Sequence, residues 1–400
     1  MESHQAIMPK AARATTTRRG SLPDEIVVWE ILVRLPPKPL LRCRAVCRAW
    51  RRVTSARDFL LAHHGHQASL PIFSGHNPWI RGVHYHNILA FDPRATTDDD
   101  RLHAVAQLDD VFYPQASCDG LLLLSKLGSI SSTSRLSICN PATRQHAPLP
   151  GPPWNFSTMG MYPHRPTGEY RLLLQRKRCE VPDQTGCYVL TLGSGQPPRY
   201  IGWPETASWI FNVPVRTRDC LHWYPVYYPE RDNDPYDPAC GIKFMVFDTI
   251  AESFREMHLP VISNYSYIFD MGGTIGVYTR DHSAQVIDIH VLHNYDSEVW
   301  DLKYRIKLPV AEIKSLVGDF DNYRDSDVIS VDGGVLLLVT ISEWLFHVDS
   351  DGKLVNSFYR GRDGLSMHGC RLKQSLVQHT FFPALEGYAV NASPFISHVE

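Results

Sequence analysis

Apolar positions follow one period near the N-terminus and another over the rest of the chain. In residues 21–65, Val28, Ile31, Leu32 and Leu35 recur at i, i+3, i+4 and i+7, which places them on one face of an α-helix. After residue 65 the pattern changes to short alternating or wholly apolar runs bounded by Gly, Pro, Asn and Asp, which is typical of strands. We therefore predict a two-domain α+β protein, with a small helical domain ahead of a mostly antiparallel β domain.

The helical segment is predicted to contain three helices separated by turn signals. Ser21 with Asp24 resembles a capping pair, and Pro36 and Pro37 end the first helix because proline lacks the amide donor. A second helix is predicted in PLLRCRAVCRAWRRV, where the same spacing is repeated by Val46, Ala49, Trp50 and Val53. Thr54 or Ser55 is expected to cap a third short helix, which carries Phe59, Leu60 and Leu61.

A helical segment of about forty residues is too small to bury all of these apolar side chains by itself. Such small units gain stability from a metal, a partner or a neighbouring domain, and Cys43 and Cys47 are not accompanied by the histidine pair that a zinc site needs. The surplus apolar surface therefore predicts a docking face for another protein.

The β region carries a loose repeat, in which a strand ends at a turn residue and a polar stretch leads to the next strand. Runs typical of strands are 121–127, 170–177, 243–248, 286–292, 334–340 and 344–349. The turn residues recur every 45–56 residues, near the kelch-like propeller period of about 50, and are Asp92, Asn140, Gly193, Asp248, His293 and Asp349. Six units, with five and seven left open, predict a β-propeller whose blades are sheets of a few antiparallel strands.

Charge is distributed unevenly over a chain of ordinary globular composition. Of the 400 residues, 44% are apolar and 20% charged, and no apolar run reaches the eighteen residues of a membrane-spanning helix. The net charge is −2, but residues 1–65 hold 12 Lys and Arg against 5 Asp and Glu, while the remainder holds 28 against 37. A basic helical part on an acidic body indicates an acidic partner for the helical part.

The cysteines and the N-terminal residues indicate the cellular compartment in which we expect the protein. The nine cysteines are scattered without a Cys-x-x-Cys pair, and the N-terminus has no apolar stretch typical of a secretory signal, so we expect reduced thiols in the cytoplasm, the nucleus or both. Residues 1–20 are rich in Ala, Thr and Arg and nearly free of acids, which predicts a disordered basic leader. An organelle transit peptide is the alternative.

The segment LPDEIVVWEILVRLPPKPLLRCRAVCRAWRRVTSARDFLLAHH resembles an F-box, the motif that binds the Skp adaptor of Skp–cullin–F-box ligases. The resemblance depends on the apolar stripes of the predicted helices, on the Leu-Pro pairs at 22–23 and 35–36, and on Val46-Cys47-x-x-Trp50. At Trp29-Glu30 the sequence departs from the two acidic residues that are more common in the family. The resemblance implies an F-box domain over residues 21–65. It also implies that adaptor contacts, or the packing behind them, come from Leu22, Pro23, Ile31, Leu32, Leu35, Pro36, Leu40, Val46 and Trp50.

Residues 110–310 resemble, strand by strand, the F-box-associated domain of plant F-box proteins. The clearest stretches are SCDGLLLLS (117–125), CNPATRQHAPLP (139–150) and FDTIAESFREMHLP (247–260). This resemblance implies a β-propeller-like domain over residues 70–397 and a non-catalytic role as the substrate-recognition subunit of a Skp–cullin–F-box E3 ubiquitin ligase. The implied partners are a Skp-type adaptor, a cullin reached through it and an unknown target protein, with no nucleic acid, membrane, metal or cofactor.

An aromatic segment between two predicted strands is the candidate for contacting that target. WYPVYYP (223–229) is followed by the polar ERDNDPYDP, and aromatic residues beside charges and prolines are typical of interface anchors. We expect the target-binding residues to be Trp223, Tyr227, Tyr228 and Tyr236. In the alternative, Trp223 and Tyr224 pack inside the blade and only residues 227–238 are exposed.

Motifs for catalysis or metal binding are weak in this sequence. A Gly-x-Ser-x-Gly elbow, a phosphate-binding loop and a His-Glu-x-x-His helix are all missing. His84 and His86 form an incomplete metal site, and Asp232, Asp234 and Asp237 lack the glycine and terminal glutamate of a calcium loop. Two alternatives stay open: an enzyme with carboxylates or a metal in a central pocket of the propeller, and a nucleic-acid binder that uses the N-terminal arginines.

Overall fold

The computed structural model describes two compact units, which divide between His66 and Gln67. The described residues are 22–80, 83–108, 112–126, 135–149, 156–176, 185–202, 213–224, 243–260, 266–281, 285–320, 325–341, 343–359, 365–384 and 388–389. Within them, no helix has the length and apolar character needed to cross a membrane.

The N-terminal unit consists of short helical elements. Helix α1 (Asp24–Ile26) continues into a π-helical turn (Val27–Ile31) and a 3₁₀ turn (Leu32–Arg34). Beyond the prolines lie α2 (Pro37–Cys43), α3 (Arg48–Thr54) and α4 (Arg57–His66).

The first helical stretch does not present the single apolar stripe that its spacing predicted. Because its turns change from α to π to 3₁₀, the side chains lose the i, i+3, i+4, i+7 alignment of a regular helix. Val28 and Leu32 are buried, but Ile31 is 43% exposed and Leu35 is half-buried. Val33, which lies outside the predicted stripe, is buried instead.

The predicted second helix is two helices. Helix α2 ends at Cys43, and α3 begins after Cys47, whose Sγ caps it by accepting a hydrogen bond from the Trp50 amide at 3.4 Å. Val46 lies in the turn between the two helices and is 67% exposed, so it is not part of a buried stripe.

The second unit is a β-propeller of six antiparallel sheets. The first three blades contain β1 (Ser69–Ile80), β2 (Val83–Phe91) and β3 (Leu102–Leu108); β4 (Phe112–Cys118), β5 (Leu121–Lys126), β6 (Arg135–Asn140) and β7 (Gln145–Pro148); and β8 (Phe156–His164), β9 (Glu169–Arg176), β10 (Gly186–Thr191) and β11 (Arg199–Gly202). The next three contain β12 (Val215–Thr217), β13 (Cys220–Trp223), β14 (Lys243–Asp248) and β15 (Ser253–His258); β16 (Ser266–Asp270), β17 (Ile275–Asp281), β18 (Val286–Asn294) and β19 (Val299–Lys307); and β20 (Asp325–Val331), β21 (Gly334–Ile341), β22 (Trp344–Val348) and β23 (Leu354–Tyr359). The remaining elements are α5 (Asp98–Arg101), α6 (Val310–Val317), β24 (Leu365–Lys373), α7 (Phe381–Ala384) and β25 (Tyr388–Ala389).

The C-terminal part of the chain closes the ring. Strand β24 pairs with β1, with Leu372 opposite Leu70, and supplies the first strand of the first blade. Strand β25 adds to the outer edge of β7 in the second blade. The first strands of the blades surround the propeller axis, since β24 contacts β4 and β20, β4 also contacts β8, and β16 contacts β12 and β20.

The turn residues of the sequence repeat lie at the same place in each blade, where the third strand leads to the fourth. Asn140, Asp248 and Asp349 each accept two hydrogen bonds from backbone amides of the turn through one side-chain oxygen, which fixes the turn. In the fifth blade Asn294 has this role, so the marker predicted at His293 was one residue early. The prediction of six units is confirmed.

The core lies between neighbouring blades, so each sheet is covered on both faces. Leu123 of the second blade shares an apolar cluster with Leu172 and Leu174 of the third, and Ile289 of the fifth blade shares one with Leu337 of the sixth. Burial on both faces explains why runs such as LLLL at 121–124 are continuously apolar rather than alternating. Each of the six predicted runs contains a strand; residues 127 and 177 lie outside the described part, and Asp349 falls in the turn after β22.

Candidate functional site

The N-terminal unit exposes an unusual amount of apolar surface. Among the described residues 14 large apolar side chains are exposed, and seven of them belong to the 45 residues of 22–66. These seven are Leu22 (55%), Ile26 (42%), Trp29 (45%), Ile31 (43%), Leu41 (41%), Val46 (67%) and Leu61 (47%). The described residues after position 66 expose only as many over a far longer stretch, so exposed apolar side chains are concentrated in the helical unit.

The buried side chains of the same unit form its small core. They are Val28, Leu32, Val33, Leu40, Phe59 and Leu60, exposed by 9% or less. Leu32 and Leu40, two of the residues predicted to supply adaptor contacts or the packing behind them, are 2% and 0% exposed. They belong to the packing behind the surface.

The other predicted contact residues are accessible. Leu22, Pro23, Ile31, Pro36 and Val46 are exposed, while Leu35 and Trp50 are half-buried. The sequence pattern missed Ile26, Trp29, Leu41 and Leu61 as exposed apolar positions. Trp29 and Ile26 could have been found as a pair at i, i+3 in the first helical stretch, but nothing in the local pattern separates Leu41 from its buried neighbour.

Helix α4 holds the proline segment in place. His63 is buried, and its Nε2 lies 2.8 Å from the carbonyl oxygen of Leu35, the residue before Pro36. Because a carbonyl only accepts, Nε2 is the donor, and burial lowers the pKa of His63, which favours the neutral ring. Phe59 of the same helix packs against the Trp29 ring with centroids 5.5 Å apart. Contacts from α4 thus hold both the first helical stretch and the proline segment, and both segments carry exposed residues.

Arginine side chains accompany the apolar surface. Arg44 is tied to α3, donating to Thr54 Oγ1 at 3.2 Å and to the Thr54 carbonyl at 2.6 Å. In the described part of the unit, five further arginines are exposed and make no ion pair, namely Arg42, Arg48, Arg51, Arg52 and Arg57. An apolar surface with unpaired cations fits a partner surface that is apolar and acidic.

The predicted target-binding residues have different outcomes. Trp223 is 1% exposed, and its Nε1 donates to the Met159 carbonyl at 3.1 Å, so it joins the fourth blade to the third and the prediction of a surface role is wrong. Its neighbour Tyr224 is also buried, as the alternative expected. Tyr227, Tyr228 and Tyr236 lie outside the described residues.

A cavity of about 540 Å³ lies on the propeller axis and contains three carboxylates. Arg216 donates to Asp119 at 2.5 Å, and Arg371 donates to Asp327 at 2.9 Å. Asp270 accepts hydrogen bonds from two amides of its own turn. Each carboxylate is therefore engaged by the protein itself. In the stretches that the structure describes, no three His, Cys, Asp or Glu side chains are placed to hold a metal ion.

The other sequence candidates for metal binding do not form a site in the described residues. His86 is fully buried with its ring edge-on to Tyr113 at 6.2 Å. The side chain of His84 and the residues Asp232, Asp234 and Asp237 lie outside the described part.

Comparison with known proteins finds a matching family model for each of the two units. A family model described as F-box-like matches residues 20–63, and one described as F-box associated beta propeller domain matches residues 89–325, more than half of the chain. Among solved structures, a chain of a nidogen/laminin complex is 11% identical, with a TM-score of 0.44 over 76% of this chain and 98% of that chain. A score of this size supports no inference about function.

Two relatives from Arabidopsis thaliana cover most of the chain. F-box protein At3g07870 is 25% identical over 313 residues, covering 72% of each protein. A second F-box protein, At3g52320, is 23% identical over 318 residues, covering 74% of this chain and 76% of the relative. The chain belongs to the plant F-box proteins that carry an F-box associated β-propeller domain, a family of substrate-receptor type.

Proposed function

We propose that this protein is the substrate-recognition subunit of a Skp–cullin–F-box E3 ubiquitin ligase and that its N-terminal unit docks on a Skp-type adaptor. The observation that supports this proposal is the concentration of exposed apolar side chains in residues 22–66. Covering such a surface with a partner removes apolar area from water, and each fully covered large side chain contributes about 1.5–3 kcal/mol.

Charge supports the choice of partner. The five unpaired arginines of α2, α3 and α4 are expected to meet acidic groups at the rim of the adaptor surface, where they would raise the association rate and fix orientation more than they add affinity. The cullin would be reached through the adaptor. The propeller would hold the target near a conjugating enzyme, which makes ubiquitin transfer effectively intramolecular. In this role the chain itself needs no catalytic residue.

Copurification of the full chain with a Skp-type adaptor tests the docking proposal. Val46→Asp and Leu41→Asp place a charge on the proposed surface at positions already exposed in the free chain, so folding should be preserved. We expect each to weaken adaptor binding by at least about tenfold, because a carboxylate would be desolvated without a partner. The matched control is Val355→Asp, at a 49% exposed position on β23. Loss of adaptor with the control as well, or retention with both N-terminal variants, contradicts the proposal.

Target capture by the propeller is the second part of the proposal. The tyrosines 227, 228 and 236 remain the candidates, and the double variant Tyr227→Ser with Tyr228→Ser is expected to reduce target capture while adaptor binding stays intact. Two exposed tyrosines on outer strands, Tyr200 and Tyr359, supply the matched control pair. Proximity labelling from the full chain and from both double variants measures the difference. Identical labelling by all three would remove residues 225–238 as the capture segment.

Nucleic-acid binding is a second candidate function, motivated by the same five unpaired arginines. It predicts affinity for duplex or single-stranded nucleic acid that falls steeply as salt rises. Absence of binding at low salt excludes it. The exposed apolar residues between the arginines favour the protein adaptor, because phosphate contacts do not use apolar side chains.

A further inference from the structure

The cavity on the propeller axis has the size of a small-molecule site. Its volume of about 540 Å³ lies within the roughly 300–1,000 Å³ of ligand pockets. Strands β4, β12, β16, β20 and β24 line it, and apolar side chains among the lining residues are Val213, Ile268 and Met367. The cavity thus combines apolar walls with charged groups.

Arg371 is incompletely bonded in this lining. Its Nη2 donates to the Asp327 carboxylate and to the Val328 carbonyl, both at 2.9 Å, whereas Nη1 is buried without a hydrogen-bond partner in the described residues. Ser326 Oγ is likewise buried and unpartnered. Buried polar atoms nearly always have partners, so two unsatisfied groups among the lining residues, on the neighbouring strands β20 and β24, indicate places where acceptors fit.

Asp119 and Asp270 are already engaged as hydrogen-bond acceptors, and Asp327 Oδ2, which has no hydrogen-bond partner in the described residues, lies 2.9 Å from Arg371 Nη2 in their ion pair. Asp119 accepts from Arg216 and from the hydroxyl of Tyr170 at 3.2 Å, and Asp270 accepts from its own turn. Burial raises the pKa of Asp327, and the neighbouring Arg371 opposes this shift. The buried donors of Arg371 and Ser326 therefore need a ligand that brings hydrogen-bond acceptors.

We infer that the axial cavity binds a small organic carboxylate, whose oxygens accept hydrogen bonds from Arg371 and Ser326 while its apolar body lies against Ile268 and Met367. Guanidinium and carboxylate groups match in shape and charge, which makes this pairing strong. The site is separate from the adaptor surface and does not depend on that proposal. Because Arg371 belongs to β24, the strand that closes the ring, the ligand also stabilises the closed propeller.

Calorimetric titration of the full chain with benzoate, an apolar ring bearing one carboxylate, tests this inference. Benzyl alcohol is the neutral control of nearly the same shape. We expect saturable binding of benzoate, binding of benzyl alcohol at least about tenfold weaker, and a benzoate-dependent rise in melting temperature. Arg371→Lys keeps a positive charge opposite Asp327 but removes the fork of donors, and should weaken benzoate binding about tenfold.

Two further variants make the result decisive. Arg305→Lys is the matched control, since Arg305 is paired with Asp288 on the fifth blade, outside the cavity lining, and should leave benzoate binding unchanged. Ser326→Ala should weaken benzoate binding about three- to tenfold, and it provides the test if Arg371→Lys does not fold. Absence of saturable benzoate binding up to about 10 mM, the weak end of specific binding, overturns the inference. Equal binding by the wild type, Arg371→Lys and Ser326→Ala also overturns it, as does equal binding of benzyl alcohol.

Discussion

Leu40 and Leu41 are consecutive residues of α2, yet Leu40 is buried and Leu41 is exposed. Leu40 is 0% exposed and packs in the small core, whereas Leu41 is 41% exposed. Consecutive positions on a helix are separated by about 100°, so a helix with a core on one side presents the next residue toward solvent. This pair therefore separates the stability of the unit from its proposed docking surface.

The first prediction uses this pair. Leu40→Ala should lower the free energy of unfolding of the N-terminal unit by about 2–5 kcal/mol, because it removes packed methyl groups and leaves a cavity. Leu41→Ala should change it by no more than about 0.5 kcal/mol, but should weaken adaptor binding. Urea unfolding followed by circular dichroism and titration with the adaptor measure the two effects. Equal destabilisation by both substitutions would contradict the assignment of the two faces.

The second prediction concerns the stability of the protein at acidic pH. Burial lowers the pKa of His146, His222, His347 and His368 to about 4, compared with about 6.5 in an unfolded chain. Between these values the unfolded state binds more protons than the folded state, so stability falls as the pH decreases from about 6.5 to about 4. Each histidine contributes a slope of no more than about 1.4 kcal/mol per pH unit.

His222 is the histidine to test. It is fully buried, with Nδ1 3.2 Å from the Val215 carbonyl and Nε2 2.8 Å from the Tyr295 hydroxyl, and the neutral ring donates through Nδ1 and accepts at Nε2. His222→Gln should reduce the pH slope of the melting temperature between pH 6.5 and 4, whatever its effect at pH 7. A slope equal to that of the wild type would count against a buried neutral imidazole.

The third prediction concerns ring closure. Leu372 of β24 is fully buried at the seam with β1, so Leu372→Ala should destabilise the propeller by about 2–5 kcal/mol. Leu302→Ala, at a 50% exposed position on the outer strand β19, is the control and should cost no more than about 0.5 kcal/mol. Thermal unfolding of the full chain measures the difference. If the two variants melt alike, the C-terminal strand is not needed to close the ring.

The fourth prediction separates a structural role for Trp223 from a recognition role. Trp223→Phe keeps an aromatic ring but removes the Nε1 donor, leaving the buried Met159 carbonyl without this hydrogen bond, which should cost about 1–3 kcal/mol. Trp300→Phe removes a similar bond to the His258 carbonyl at 3.2 Å, but in an exposed setting where water replaces it, so its effect should be smaller. Reduced target capture by Trp223→Phe with unchanged stability would restore the surface role.

Much of the fold could be predicted from local pattern because its signals are short-range. A side-chain oxygen that accepts hydrogen bonds from the amides of its own turn fixes the place of residues such as Asp248 and Asp349 in their repeats. Strands covered on both faces need continuous apolar runs, so 121–124 and 335–339 are recognisable in isolation. The error at His293 also has a local origin, since the asparagine that fixes the turn is its neighbour.

The sequence by itself therefore determined that the N-terminal unit is helical, rich in apolar residues and positively charged. It also determined the six-fold repeat of the second unit. Only the tertiary structure decided which apolar residues of the N-terminal unit are covered. Burial of Leu32 depends on how the π and 3₁₀ turns rotate side chains toward the core, and exposure of Leu41 depends on which side of α2 faces that core. The tertiary structure also decided that Trp223 bonds to Met159 and that β24 returns to β1, because contacts between residues 64 and about 300 positions apart arise only when the blades close into a ring.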